Sequence, residues 1–260
     1  MSKSSQWVQC RDFGPDHAGA CRFAMFNRHG GVSAEPFSSF NTSYTVGDSS
    51  SAVTENRARI KEILGISTLF SARQIHGDEI YCLDSKPQGD LEVDGYDALI
   101  TDLTDVGIMI QHADCQAVLL FDPQKRVVGA VHCGWRGSVL DILGKTVRAF
   151  TTFYKSRPEN LLATISPSLG PCCSEFVNHQ LELPAHFQRF HTGENHFDFW
   201  KISGEQLVAA GLKTSSITVA GECTSCSSDY FSYRRAKRRG NDVTGRNGTI
   251  VALGRPGKNT

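Results

Sequence analysis

No apolar run in the sequence approaches the ~20 residues needed to cross a bilayer. The opening stretch also lacks the apolar core of a secretory signal. Neither sign of charge is in excess: 27 Lys+Arg balance 27 Asp+Glu, so no global field draws the chain to nucleic acid or to an anionic membrane. Internal repeats, low-complexity tracts and obvious linkers are missing too. The 260 residues are therefore read as a single domain over 1–260, with a loosely ordered polar start over 1–20. A chain of this length buries a full core without disulfide staples. The nine cysteines are odd in number and accompany no export signal, which predicts reduced thiols in a cytoplasmic setting. They are read as buried small residues, metal ligands or reactive groups.

Two catalytic signatures are absent as well. A zinc nucleobase deaminase carries H-x-E and P-C-x-x-C. Here Pro171 is followed by Cys172 and Cys173, and Cys223 follows Glu222. That fold is disfavoured, while deaminating chemistry at another zinc site stays open. No H-x-H pair exists to build a trinuclear copper cluster. Ligand count does not support a full laccase, although a His₂Cys electron-transfer copper site stays open.

What is present alternates strands and helices. "CRFAMFNRHGGVS" (21–33) predicts a strand running into a Gly-Gly turn. Residues 50–65 predict a helix with a serine-rich start, apolar Val53, Ile60, Ile63 and Leu64, and Gly65 as its stop. Strands are expected over 69–77, 96–102 and 106–115. "AVLLFD" (117–122) and "VVGAVHCG" (127–134) flank a "DPQK" turn and predict a hairpin. A helix over 138–154 with Ser138 as N-cap follows, then a strand over 161–170. A broken helix near Pro184, a helix over "ISGEQLVAAGL", and strands over 215–224 and 246–254 complete the series. This mixed order predicts a layered α/β or α+β architecture.

His76, Cys115 and His132 each end an apolar, strand-like run. Two imidazoles and a thiolate form a ligand set for zinc and leave a fourth position open, the catalytic arrangement. The spacings are long, and each residue alone is more commonly packed or hydrogen-bonded. His112 competes with His76, but positions i and i+3 of an extended strand face opposite ways, which disfavours a His112/Cys115 pair. The hairpin strands have equal length, so Ala117 is expected opposite His132, with Cys115 two residues beyond. "ECTSC" (222–226) supplies a C-x-x-C, and "PCC" (171–173) an adjacent pair of poor chelating geometry. Ordinary small residues are the favoured reading of both. "NRHGG" (27–31), "GWRG" (134–137) and "FSYRR" (231–235) set arginines beside glycines or aromatics. Such arginines grip oxyanions, or form structural ion pairs. The six basic residues of 234–246 read as a solvated loop.

Taken together, eleven stretches resemble one family in order across nearly the whole chain: "NRHGGVS", "SSFNTSYTVGD", "ENR", "QIHG", "DALIT", "ADC", "VHCGWRG", "GPCCSEF", "CT", "FSYRR" and "TGR". It is the laccase-domain family, also called polyphenol oxidase, purine nucleoside phosphorylase or peptidoglycan editing factor. The resemblance implies a layered α/β sandwich with a mixed sheet, of the laccase-domain and cytotoxic-necrotizing-factor-like type. It implies one metal on His76, Cys115 and His132, Zn2+ or alternatively Cu2+. It implies phosphorolysis of adenosine, inosine and methylthioadenosine with inorganic phosphate as co-substrate, and adenosine deamination as a related activity. A copper polyphenol oxidase and a hydrolase that edits peptidoglycan precursors are the alternatives.

The expected substrate-binding residues are Arg28, Asn41, Arg136, Phe231, Tyr233 and Arg234. Catalytic roles fall to Arg28, Asp114 and Cys115, with Asp114 read equally as turn support. Three departures stand out: "ADCQAV" (113–118) where many members read "ADCLPV", Cys133 where many have alanine, and extra residues between "FSYRR" and "TGR". Cys133 either perturbs the surroundings of the metal or merely packs.

Overall fold

The computed structural model describes residues 8–11 and 13–254. In chain order the first strands are β1 (Val8–Arg11), β2 (Cys21–Phe26), β3 (Thr68–Arg73), β4 (Ile80–Leu83), β5 (Leu91–Asp94), β6 (Ala98–Thr101) and β7 (Val106–His112). Then come β8 (Gln116–Asp122), β9 (Val127–Cys133), β10 (Leu162–Ile165), β11 (His191–Gly193), β12 (His196–Phe197), β13 (Ile217–Val219) and β14 (Asn247–Leu253). The α-helices are α1 (Ser50–Leu64), α2 (Trp135–Val139), α3 (Ile142–Tyr154), α4 (His179–Glu182), α5 (Phe199–Ala209) and α6 (Tyr233–Arg238). No helix among the described residues is long and apolar enough to cross a membrane.

Two mixed six-stranded sheets, ordered β1-β2-β14-β7-β3-β5 and β13-β10-β8-β9-β6-β4, face each other. Between them lies a core in which Phe23, Phe70, Ile108, Ile110 and Val251 of the first sheet meet Leu99, Leu119, Phe121 and Ala130 of the second. The outer face of the second sheet carries Ile100, Val118, Leu120 and Val131, which pack on Leu143, Val147 and Phe150 of α3 and Leu207 of α5. The outer face of the first sheet packs Ala24, Leu69 and Ile250 on Ile60 and Leu64 of α1. The result is a helix–sheet–sheet–helix sandwich. β7, β8 and β9 are buried on both faces, which is why the sequence shows near-continuous apolar runs there rather than alternation.

The hairpin pairs as its lengths predict, with Ala117 opposite His132 and Gln116 opposite Cys133. Other elements differ from the sequence reading. Residues 8–11 form a strand paired with β2, inside the stretch expected to be a loose start. The strands expected to reach Gly77 and Cys115 stop at Arg73 and His112, so His76 and Cys115 stand on loops. Ser138 lies inside α2; the N-cap of α3 is Asp141, whose carboxylate accepts from the Gly144 amide. The chain breaks there because Asp141 adopts φ 56°, outside helical geometry. The basic stretch after Phe231 starts as α6 rather than as a loop, capped by Ser232. The guanidinium of Arg235 donates to the carbonyls of Thr224, Ser227 and Tyr230, so this residue is a fastener and not a solvated charge. β4 and β5 are short and half-buried, too weakly patterned to read from sequence.

Gly129 marks a close sheet–helix contact. A Cβ there would lie 2.7 Å from the Phe150 ring of α3. Gly129→Ala is expected to destabilise the fold by about 1–3 kcal/mol through overpacking. In the Phe150→Leu background the same change should be milder. Denaturant unfolding of the four proteins checks this, and strict additivity would contradict the contact.

Candidate metal centre and substrate cleft

His76, Cys115 and His132 come together from three places. One ligand atom from each lies within 4.8 Å of the others. His132 is the penultimate residue of β9 and faces the inter-sheet layer, as Val128 and Ala130 do. Cys115 lies on the bend just before β8, two positions past the residue opposite His132. His76 enters from the loop after β3 at φ 62°, an uncommon conformation for a residue with a side chain. It is kept there by Asp97, at the head of β6. The Asp97 carboxylate accepts from the backbone amides of Ile75 (3.2 Å), His76 (3.0 Å) and Gly77 (2.8 Å). It also accepts from His132 Nδ1 at 2.7 Å, and it is fully buried. One carboxylate thus shapes the His76 loop and holds the His132 ring by Nδ1, leaving Nε2 as the nitrogen toward Cys115. The sequence shows Asp97 only as an acidic residue heading an apolar run, and the sequence reading gave it no role.

Electrostatics follow from this packing. Burial alone would raise the Cys115 thiol, but the His132 charge and hydrogen bonds from His132 and His76 bring it down to about 6. Burial would lower His132, but the Cys115 thiolate and Asp97 raise it to about 9. Burial would lift Asp97, yet the hydrogen bond and charge of His132, with the Gly77 and Ile75 amides, hold it below the usual carboxylate range. A deprotonated thiolate beside two imidazoles is the donor chemistry of a zinc or copper site. Gly134 borders the cluster: a Cβ there would meet Cys115 Sγ at 2.9 Å and His76 Cδ2 at 3.2 Å. His112 is not part of it. It lies on β7, bonds Thr249 through Nε2 at 2.8 Å, and burial drives its pKa down to about 3. Cys133 points the other way, into the core against α3, with Sγ 3.3 Å from Ser138 Oγ. Burial pushes its thiol up to about 12, so of the two readings of this departure, packing is the one the geometry supports.

The triad opens into a cleft of about 750 Å³, the size class of a small-molecule site. Of the expected substrate residues, Arg136, Tyr233 and Arg234 line it. Trp135, Phe176 and Phe199 supply apolar walls, with Trp135 and Phe176 edge to face at 6.0 Å. Arg136 lies over the Trp135 ring at 4.4 Å, and no carboxylate among the described residues pairs with it. Arg246, the last residue of "TGR", also lines the cleft, its Nη1 held by the carbonyls of Thr244 and Gly245.

Three expected substrate residues lie elsewhere. Arg28 does not line the cleft; its Nε donates to the Ser38 carbonyl and its guanidinium covers the Phe231 ring at 5.0 Å. Phe231 is buried and packs against Gly245. Asn41 is fully buried, donating to Ser43 O and Asp48 and accepting from the Ser43 and Arg246 amides. These three build the floor that carries Tyr233, Arg234 and Arg246. The Gly-Gly turn beside Arg28 is likewise structural: a Cβ on Gly31 would meet the Ser39 carbonyl oxygen at 2.2 Å. Asp114 lines the cleft at φ 92°, but both its oxygens are engaged, one by Thr224 Oγ1 at 2.7 Å and one by the Arg234 amide at 2.6 Å. That occupancy fits turn support better than a general base.

Because Cys115 is brought down to about 6 and Cys133 is pushed up to about 12, their reactivities should separate. In metal-stripped protein at neutral pH, iodoacetamide should label Cys115 and spare Cys133, with Cys115 labelling rising through pH 6 as the thiolate forms. Peptide mapping checks this, and equal labelling would contradict the environments described.

The family model for multi-copper polyphenol oxidoreductase laccase matches residues 22–254. Purine nucleoside phosphorylase YlmD of Geobacillus stearothermophilus is 31% identical over 247 residues, covering 88% of this chain and 89% of that protein. A purine nucleoside phosphorylase of Xylella fastidiosa is 32% identical over 259 residues, covering 94% of this chain and 98% of its own length. The crystal structure of YlmD from Geobacillus stearothermophilus aligns with a TM-score of 0.84 at 27% identity over 98% of both chains. The matched span contains the triad, Asp97 and the whole cleft, and the chain belongs to the multi-copper polyphenol oxidoreductase laccase family.

Proposed function

We propose that this chain is a zinc-dependent purine nucleoside phosphorylase. The observation that carries the reading is one cleft where the His76–Cys115–His132 triad faces arginines and aromatic rings. The purine nucleoside phosphorylase names of relatives at similar length support it. A phosphorolytic site needs an anion grip, a flat apolar surface for the base, and polar groups at the ribose. Among the described residues no carboxylate pairs with Arg136, and it is pre-stacked on Trp135, so it is the best placed to take phosphate. Arg246 is a second guanidinium on the same cleft. Arg234 is fixed by its Nη2 bond to the Glu175 carbonyl at 3.0 Å and by its own amide on Asp114. Phe176, Phe199 and Tyr233 offer ring faces and edges to a purine.

In this reading an oxygen of phosphate held by Arg136 and Arg246 attacks ribose C1′, the bond from C1′ to the purine nitrogen breaks with its electron pair going to the purine, and the departing base takes up the proton that the phosphate gives up. The guanidinium groups keep the anion in line with that bond, and the aromatic walls exclude water that would otherwise compete. His76, Cys115 and His132 would hold the metal, with His132 oriented by Asp97. An ion held there would supply Lewis acidity, and with it the same pocket would also suit adenosine deamination. Adenosine, inosine and methylthioadenosine are the proposed substrates, with inorganic phosphate as the second. The copper reading takes its support from the family name, but the triad offers three donors for a single ion. A four-electron oxidase needs more copper than that.

Zinc-loaded protein should release free base and ribose-1-phosphate from inosine or adenosine only when phosphate is present. Cys115→Ala should abolish turnover, and Arg136→Ala should lower kcat/KM for phosphate by about 10²-fold. No nucleoside turnover by the zinc-loaded protein would overturn the reading. Phenol oxidation by a copper-loaded form would favour the oxidase, and cleavage of a peptidoglycan precursor the editing hydrolase.

A further inference from the structure

A second thiol cluster stands apart from the triad. Cys172, Cys173, Cys223 and Cys226 all place their sulfurs within 4.8 Å of one another, although they lie in two segments far apart in sequence. Cys172 and Cys173 occupy the turn after Gly170. Cys223 bridges to Ser168, and Cys226 closes the turn that follows. Cys226 Sγ is 3.6 Å from Cys172 Sγ and 3.5 Å from Cys173 Sγ, and all four are free thiols. The sequence reading took these as ordinary small residues and judged adjacent cysteines poor chelators. The turn overcomes that by aiming both side chains at the same point.

We infer that these four cysteines form a structural zinc site. Zinc bound by thiolates at about 2.3 Å in a tetrahedron sets its ligands roughly 3.8 Å apart; two of the sulfur pairs here are 3.5 and 3.6 Å apart and all four sulfurs lie within 4.8 Å of one another. Four protein ligands close the coordination shell, so the site takes no substrate and holds structure instead. Its surroundings suit thiolate sulfur. The Gly170 amide donates to Cys223 Sγ at 3.3 Å, and Arg238 Nη1 lies 3.6 Å from Cys173 Sγ. Four thiolates around a divalent cation leave a net charge of about −2, which the Arg238 guanidinium partly offsets. The thiol protons leave to solvent as the ion binds.

The site has a structural consequence for the cleft. It ties the segment carrying Glu175 and Phe176 to the segment carrying Thr224 and, further on, Arg234. Thr224 and Arg234 are the residues that grip Asp114, next to Cys115. The second ion therefore fastens two walls of the cleft without touching what binds there.

The test uses a full-length chain in which His76→Ala, Cys115→Ala and His132→Ala empty the triad. This variant should retain about one zinc per chain, and adding Cys226→Ser should reduce it to about zero. Cobalt reconstitution of the triad-less chain should give the intense visible bands and sulfur-to-metal charge transfer of a tetrahedral thiolate site. That readout needs no cysteine variant of the cluster and survives any folding failure of Cys226→Ser. A triad-less chain that binds neither zinc nor cobalt would overturn the inference, as would one whose zinc survives Cys226→Ser. Metal content and the cobalt spectrum are read without any nucleoside, so this result stands independently of the phosphorylase reading.

Discussion

The buried Asp97 carboxylate is the constraint on which the candidate metal centre depends. It accepts three successive backbone amides and one imidazole, and so joins the loop after β3 to the end of β9. A buried carboxylate without such partners would be strongly destabilising; with four donors it becomes a rigid fixture. His76 is held at a positive φ because Asp97 occupies the amides on either side of it. Asp114, at φ 92°, is fixed in the same way by Thr224 and Arg234, on the other side of Cys115. Strained backbone on both sides of the thiolate is over-determined by hydrogen bonds, as expected where geometry is prepared before a ligand arrives.

The sandwich supplies the rest. Central strands buried on both faces give a stiff platform whose ends, at His112, Cys115 and His132, open on one side. Residue parity then assigns chemistry. His132 points between the sheets, while its neighbour Cys133 points into the core beneath α3 and stays protonated. The floor of the cleft comes from long-range contacts: Asn247 holds Phe231 and the His112 carbonyl, and Phe231 carries Arg28. Cleft residues on α6 inherit their position from that floor.

Much of this was legible in the sequence. Equal strand lengths around a "DPQK" turn gave the hairpin register, and with it the proximity of Cys115 to His132. The apolar runs and Gly65 gave the main strands and the first helix. What was not legible depends on contacts between distant segments. Arg28 and Phe231 sit in motifs that look like substrate grips, yet they stack on each other below the cleft. Asp97 carries no local signal of its four donors. The break between α2 and α3 needs a positive φ at Asp141, which an aspartate in an apolar helical pattern does not announce. The four-cysteine cluster joins segments about fifty residues apart, and adjacency of Cys172 and Cys173 disfavours shared ligation in the sequence, whereas the turn brings both sulfurs to Cys226.

The most direct measurement is the zinc affinity of the His76–Cys115–His132 centre in Asp97→Asn, by chelator competition in the Cys226→Ser background so that only this centre is titrated. Replacing the carboxylate with an amide removes the charge that supports His132 and sets a donor against the loop amides. An affinity lower by about 10–100-fold, with the sandwich still folded, is the predicted result. Unchanged affinity in a folded protein would contradict the role given to Asp97 and, with it, the organisation of the centre.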